Sequence, residues 1–79
     1  MEENVYNIRT DAIQPNRRLW YEEGEIARFS SLIRSGGLND PIRLFFDGER
    51  FRILDGEKRW RAARKLGLPS IQAVIADLT

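Results

Sequence analysis

The residues best suited to chemistry lie between Leu54 and Ala63, where an apolar segment ends and a strongly basic one begins. The pattern predicts a strand that turns at Asp55-Gly56 into a helix. A residue without a Cβ lets a ligand approach the backbone, and the first amides of a helix carry the positive end of its dipole. The turn therefore favours binding of a phosphate or a carboxylate.

Arg59 strengthens this prediction because helical spacing places it on the apolar face of the second helix. A guanidinium buried without a partner is costly, so Arg59 needs a carboxylate, a set of carbonyls or a bound anion. A structural alternative stays open, in which Asp55 caps the helix, Gly56 is a turn residue and Arg59 pairs with Asp55 or another acid. The apolar face consists of Trp60, Ala62, Ala63 and Leu66.

The opposite face of this helix is basic, and a second basic pair precedes the first helix. Phosphates of a nucleic acid would bind such a surface, although a solvated charged face explains the same pattern. The outer face carries Lys58, Arg61, Arg64 and Lys65, and the candidate nucleic-acid contacts are Arg17, Arg18, Arg64 and Lys65.

Composition limits the other possibilities. The 79 residues predict one small domain, and the net charge of +1 hides a basic excess between residues 43 and 65. There is no cysteine and no histidine, which excludes disulfides, thiolate chemistry and imidazole bases or ligands. No apolar run approaches the roughly 20 residues that span a bilayer, and the acidic start differs from a signal peptide. We expect a cytoplasmic protein with no membrane partner.

The first half of the chain predicts a strand at Val5–Arg9 and a loop over residues 13–18. A helix follows from Glu22 to Ser35, with acids in its first turn and glycines after it. Between loop and helix, an apolar cluster is expected to anchor the loop to the core, with base stacking by Trp20 as the alternative. The cluster is Leu19, Trp20 and Tyr21.

The second half predicts a β-hairpin, a helix and a closing strand. Strand patterns at Ile42–Phe46 and Arg50–Leu54 flank Asp47-Gly48, a strong hairpin signal. The helix runs from Glu57 to Leu66, and the last strand covers Ile71–Ala76. The expected fold is α+β, with a mixed sheet, a central β-hairpin and two main helices.

Gly56–Ala62 resembles the G-E-R-R-x-R-A box of the ParB/sulfiredoxin superfamily, whose ParB N-terminal domains are also described as ParB-like nucleases. Residues 13–17 are similar to its "I-x-P-N" loop, and residues 35–42 to its segment ending "G-L-x-x-P-I". Residues 67–71 resemble its closing turn. The resemblance implies a single ParB/sulfiredoxin-like domain over residues 1–79.

In partition proteins of the ParB type, this domain binds CTP, and the resemblance transfers that role to matching positions. It implies that Lys58 and Arg59 hold phosphates, and that Glu57 lies near Mg²⁺ or fixes an arginine. Lys58 stands where the family often has arginine. A lysine there would contact the phosphate as a point charge and not through two hydrogen bonds. The implied nucleotide-binding residues are Gly56, Glu57, Lys58, Arg59, Arg61, Leu38 and Pro41, with Glu57 as the candidate metal contact.

Other functions of the superfamily stay open. The reductase chemistry of sulfiredoxin needs a cysteine and is excluded. CTP hydrolysis and sequence-specific DNA clamping are not expected from these 79 residues alone. We expect a phage or plasmid partition protein, or a regulatory domain, that binds CTP or ATP, with DNA or other protein domains as further partners. The alternatives are DNA binding, a metal-dependent nuclease or kinase that uses Glu57 and Asp55, and a protein-interaction adaptor.

Overall fold

The structure, a computed structural model, describes residues 4–16, 18–36 and 40–77. Five strands and two α-helices follow one another, with a short 3-10 helix at Thr10–Ala12. They are β1 Val5–Arg9, β2 Ile13–Gln14, α1 Glu23–Arg34, β3 Ile42–Phe46, β4 Phe51–Asp55, α2 Glu57–Leu66 and β5 Ser70–Ile75. In this part of the chain, neither helix is long and apolar enough to cross a membrane.

The strands form one mixed sheet in the order β1-β5-β3-β4-β2. Antiparallel pairs join β1 to β5 and β3 to β4, whereas β5 and β2 run parallel to their neighbours β3 and β4. Helix α2 packs on the sheet, and α1 packs mainly on α2. The predicted α+β fold with a mixed sheet, a central hairpin and two helices is confirmed.

The hairpin forms where Asp47-Gly48 predicted it, although β4 begins one residue later than expected. The backbone N–H groups of Glu49 and Arg50 both donate to Asp47 Oδ1 at 2.8 Å. The Arg52 guanidinium bonds the other carboxylate oxygen. These contacts, led by the Arg50 N–H, hold the pKa of the Asp47 carboxyl well below its usual range.

The corner between β4 and α2 requires glycine. Gly56 has a φ of 105°, in the left-handed region that other residues avoid. A Cβ built on it would lie 2.5 Å from Ile42 Cγ2 and 2.8 Å from Ile42 Cβ. The absence of a side chain at Gly56 therefore allows β3 to pack directly against the corner. The sequence did not predict this reason for the glycine.

The core lies between α2 and the sheet. Ile42 and Leu44 of β3 are fully buried, and Trp60 of α2 is 5% exposed. The indole N–H of Trp60 donates to the backbone oxygen of Thr10 at 3.0 Å, so the ring is buried without an unpaired polar atom. This bond ties α2 to the 3-10 helix between β1 and β2.

Two predictions about residues 13–21 are wrong. Ile13–Gln14 is not loop but a two-residue strand, too short for a periodic signal, that pairs with β4. The cluster at residues 19–21 does not bury as a unit, since Trp20 is 77% exposed and Leu19 is 40% exposed. Hydrogen bonds from Arg61 to loop carbonyls hold this segment, so apolar burial is not needed to fix it.

Replacing Gly56 with alanine should lower the free energy of unfolding by about 2–4 kcal/mol, because left-handed strain adds to overlap with Ile42. Gly48→Ala is the matched control. Gly48 has a φ of 101° but no atom within 4 Å of its Cβ position. Gly48→Ala should lower the free energy of unfolding by only about 1–2 kcal/mol. Urea unfolding of both variants tests this, and equal losses would contradict the packing role of Gly56.

Asp47→Asn should destabilise the protein at neutral pH, because the amide cannot replace the carboxylate charge beside Arg52. A depressed folded-state pKa contributes stability above the unfolded pKa of about 3.9, and this contribution is lost as the pH falls through the folded value. The difference in melting temperature between wild type and variant should therefore shrink below about pH 4. A difference that stays constant from pH 7 to pH 2 would contradict this.

Candidate nucleotide-binding site

A cleft of about 360 Å³ opens at the start of α2. One wall is the end of β4 with the first turn of α2, residues 53–59, and the other is formed by the loop before α1. Phe29 of α1 closes one side. The cleft therefore lies where the sequence predicted an anion site.

The first turn of α2 has no side-chain cap. Its N-cap residue is Gly56 and not Asp55, so the capping alternative for Asp55 is wrong. The first amides of an α-helix have no carbonyl partners within the helix, and they carry partial positive charge. This end of α2 can donate hydrogen bonds to an anion in the cleft.

Arg59 lies in the same turn and lines the cleft. Its Nε is buried and has no hydrogen-bond partner among residues 4–16, 18–36 and 40–77. Among the described residues no ion pair joins Arg59 to Asp55, so the paired alternative gains no support. A buried donor without an acceptor costs about 1–3 kcal/mol, and an anion in the cleft could recover this energy.

Lys58 also lines the cleft but turns toward α1. Its Nζ lies 3.4 Å from Glu25 Oε1, and it lies 5.3 Å from the ring centre of Tyr21 and 5.9 Å from that of Phe29. The ion pair is partly exposed on both sides, and such pairs are weak. Lys58 can therefore exchange Glu25 for a more strongly charged anion.

Glu57 is 5% exposed, and both of its carboxylate oxygens are engaged. Oε1 accepts the backbone N–H of Asn16 at 3.2 Å, and Oε2 accepts Nε of Arg61 at 3.0 Å. Of the two roles considered for Glu57, this contact matches the one of fixing an arginine. No group of three or more acidic residues that could hold a metal occurs in residues 4–16, 18–36 and 40–77.

Arg61 connects α2 to the loop before α1. Its Nη2 donates to the backbone oxygens of Asn16 at 3.2 Å and Leu19 at 2.8 Å, and its guanidinium lies 5.3 Å from the ring centre of Tyr21. Most of its donor capacity is therefore committed within the protein. The Glu57–Arg61 pair holds one wall of the cleft in place.

The remaining predicted residues that the structure describes do not line the cleft. Pro41 is half-buried before β3, and Leu38 and Arg17 lie outside the described residues. Arg18 lines a separate cavity beside Arg52. Arg64 and Lys65 are exposed near the other end of α2.

Sequence reasoning missed Asn16 and Tyr21 as wall residues of the cleft. Asn16 had been assigned only a turn, and Tyr21 only a place in an apolar cluster. Their contacts with α2 join residues about forty positions apart in the chain, which no local pattern reports.

The chain matches the ParB N-terminal domain family over residues 1–79. It belongs to that family. The chromosome-partitioning protein ParB of Myxococcus xanthus is 35% identical over 75 residues, which cover 95% of this chain and 25% of that protein. The nucleoid occlusion protein of Geobacillus thermodenitrificans is 41% identical over 80 residues, covering 96% of this chain and 28% of that protein. This ParB N-terminal domain thus spans about a quarter of the length of these relatives.

Solved structures agree with this assignment. C-terminally truncated ParB of Caulobacter crescentus, crystallised with CTP-gamma-S, superimposes with a TM-score of 0.83 at 26% identity, over 96% of this chain and 46% of that chain. Sulfiredoxin of Arabidopsis thaliana gives 0.81 at 24% identity, over 94% and 85% of the two chains. At that identity the likeness to sulfiredoxin concerns the fold alone. The predicted ParB/sulfiredoxin fold is confirmed.

Glu57→Ala and Arg61→Ala should each lower the free energy of unfolding of the ParB N-terminal domain by about 2 kcal/mol, because each leaves a charged partner without its hydrogen bond. The double variant should lose at least about 1 kcal/mol less than the sum. Chemical unfolding of the four proteins measures this coupling.

The exposed pair of Glu23 and Lys65, 3.9 Å apart, serves as the control cycle. Its coupling should stay within about 0.5 kcal/mol. Additive losses for Glu57→Ala and Arg61→Ala would show that the two side chains do not act as a pair.

Proposed function

We propose that this ParB N-terminal domain binds a nucleotide, CTP or ATP, with the phosphates at the start of α2. The observation that carries the proposal is Arg59, which lines the cleft in the first turn of α2 and whose buried Nε has no acceptor in the part of the chain that the structure describes. Phosphate oxygens can accept both from the guanidinium and from the first-turn amides. A single phosphate would then accept hydrogen bonds from both the Arg59 guanidinium and the backbone amides of the first turn.

Lys58 would supply a second charge. In the proposed complex its ammonium group leaves Glu25 and the rings of Tyr21 and Phe29 and turns into the cleft. The weak, partly exposed pair with Glu25 makes this exchange inexpensive. Glu25 thus serves as the counter-ion of Lys58 when no nucleotide is bound.

Glu57 and Arg61 would act on the nucleotide indirectly. Their mutual bond and the bonds to the loop carbonyls hold the wall of the cleft. We therefore assign Arg61 to positioning the loop and not to direct phosphate contact. The family resemblance implies that Leu38 and Pro41 contact the base, which would then extend past the described wall of the cleft, because Pro41 does not line it.

Mg²⁺ would enter with the nucleotide and neutralise phosphate charge, since this ion is commonly held by phosphates and one or two carboxylates. Glu57 has both oxygens engaged. Asp55 is exposed and lies on the cleft wall, so it is the better candidate for a protein contact.

Similarity to known proteins supports CTP as the first nucleotide to test. The Caulobacter ParB fold that matches this chain was crystallised with CTP-gamma-S. Relatives that are chromosome-partitioning and nucleoid occlusion proteins support a place within a DNA-associated regulator. We propose that this chain is the nucleotide-binding part of such a protein.

Titration calorimetry with CTP and with ATP, magnesium present, tests the proposal. Arg59→Ala should weaken binding at least about tenfold, because it removes charged hydrogen bonds to phosphate. Arg64→Ala removes the same charge from the exposed end of α2 and should change the dissociation constant less than about twofold.

Two outcomes would contradict nucleotide binding at the start of α2. One is a folded wild type that gives no heat with either nucleotide. The other is an equal loss in both variants, which would indicate a diffuse charge effect and not a site at Arg59.

A further inference from the structure

A second groove, of about 660 Å³, lies between α1 and the C-terminal half of α2. We call it the Trp20 groove. Trp20 and Ile26 provide its apolar lining, and Arg64 and Lys65 provide charge. Trp20 is 77% exposed, and a tryptophan left in water forgoes a large gain from burial. Such a side chain marks a surface that gains energy when a partner covers it.

The charge of the Trp20 groove is positive. Arg61, Arg64 and Lys65 line it, against the single acid Glu23. Arg61 is already paired with Glu57, so Arg64 and Lys65 supply most of the charge that a partner would meet. Glu23 Oε1 lies 3.9 Å from Lys65 Nζ, and its side chain is 93% exposed, so it neutralises little. The Arg64 guanidinium lies 5.3 Å from the ring centre of Trp60, which restricts its motion before any partner binds.

We propose that the Trp20 groove docks a short acidic peptide segment that carries one large apolar side chain. The apolar side chain would lie between Trp20 and Ile26, and neighbouring carboxylates would pair with Arg64 and Lys65. Trp, Tyr and Arg are the residue types that dominate binding energy at protein interfaces, and they make up most of this lining. Charge complementarity selects an acidic partner.

The aromatic arrangement favours a peptide over a nucleic acid. Single strands bind by stacking successive bases on several open rings. Here the Tyr21 ring lies under Lys58 and Arg61, and Trp60 is 5% exposed beneath Arg64. Trp20 is thus the one open ring in this groove, which suits one anchoring side chain.

The size of the Trp20 groove favours a short segment over a second folded copy of the chain. A stable interface takes roughly 800 Å² and 20–30 residues from each partner. Eight residues line the groove. A short segment needs only such a local site and binds weakly.

Fluorescence anisotropy tests the proposal with a labelled peptide that alternates glutamate and aspartate around a central leucine. A second peptide of equal charge has serine in place of leucine. Trp20→Ala and Arg64→Glu should each weaken binding of the leucine peptide about tenfold, and the serine peptide should bind wild type about tenfold more weakly than the leucine peptide. Arg28→Glu reverses the same charge on an exposed position of α1 outside the groove and should change binding less than about twofold.

Thermal unfolding of each variant serves as the control for folding. We expect the variants to be folded, because Trp20 and Arg64 are exposed. Three results would overturn the proposal. The first is no binding of the leucine peptide to folded wild type. The second is tighter binding of a labelled oligothymidine strand than of the peptide, with the strand's binding abolished by Trp20→Ala. This would indicate that the ligand of the groove is a nucleic acid. The third is a concentration-dependent dimer that Trp20→Ala abolishes, which would indicate a second copy. None of these depends on whether nucleotide binds at Arg59.

Discussion

The close contact between Gly56 and Ile42 determines where α2 begins and how near it lies to the sheet. A residue with a Cβ cannot occupy this corner without displacing the fully buried Ile42. Because the corner is held, Trp60 enters the core one turn later, and the first turn of α2, which has no side-chain cap, lines the cleft. Packing in the core and chemistry at the surface thus depend on the same glycine.

The cations of α2 differ in function because they differ in partner. Lys58 lies against α1 in a weak pair, and Arg61 is bonded to Glu57 and to the loop. Arg59 has a buried Nε that bonds to none of the described residues. Arg64 rests over Trp60. Helical spacing places Lys58, Arg61 and Arg64 on one basic face and Arg59 on the apolar face. Their contacts divide the surface of α2 into a cleft that suits phosphate, a structural link and an exposed groove.

The loop before α1 joins the two candidate sites. Its backbone carbonyls are bonded to Arg61, and its Tyr21 ring lies beside both Lys58 and Arg61. Trp20, the residue before Tyr21 in the chain, lines the second groove with its exposed side chain. Hydrogen bonds and cation–π contacts, with little apolar burial, position this segment, which explains why a tryptophan can remain exposed there.

Local signals in the sequence determined much of the fold. Alternating apolar residues, Asp47-Gly48 and the glycine after α2 report short-range geometry, so the bounds of β1, β3 and α2 were predicted to the residue. The inward position of Arg59 also followed from helical spacing. Only the tertiary structure decided the pairing of β2 with β4, the burial of Glu57 against Asn16 and Arg61, and the exposure of Trp20. The β2 pairing and the bonds of Glu57 and Arg61 to the loop join residues some forty positions apart, and such distant pairs produce no periodic pattern in the sequence. The exposure of Trp20 has no local signal either, because bonds from Arg61 already hold the loop and burial of the ring is not required.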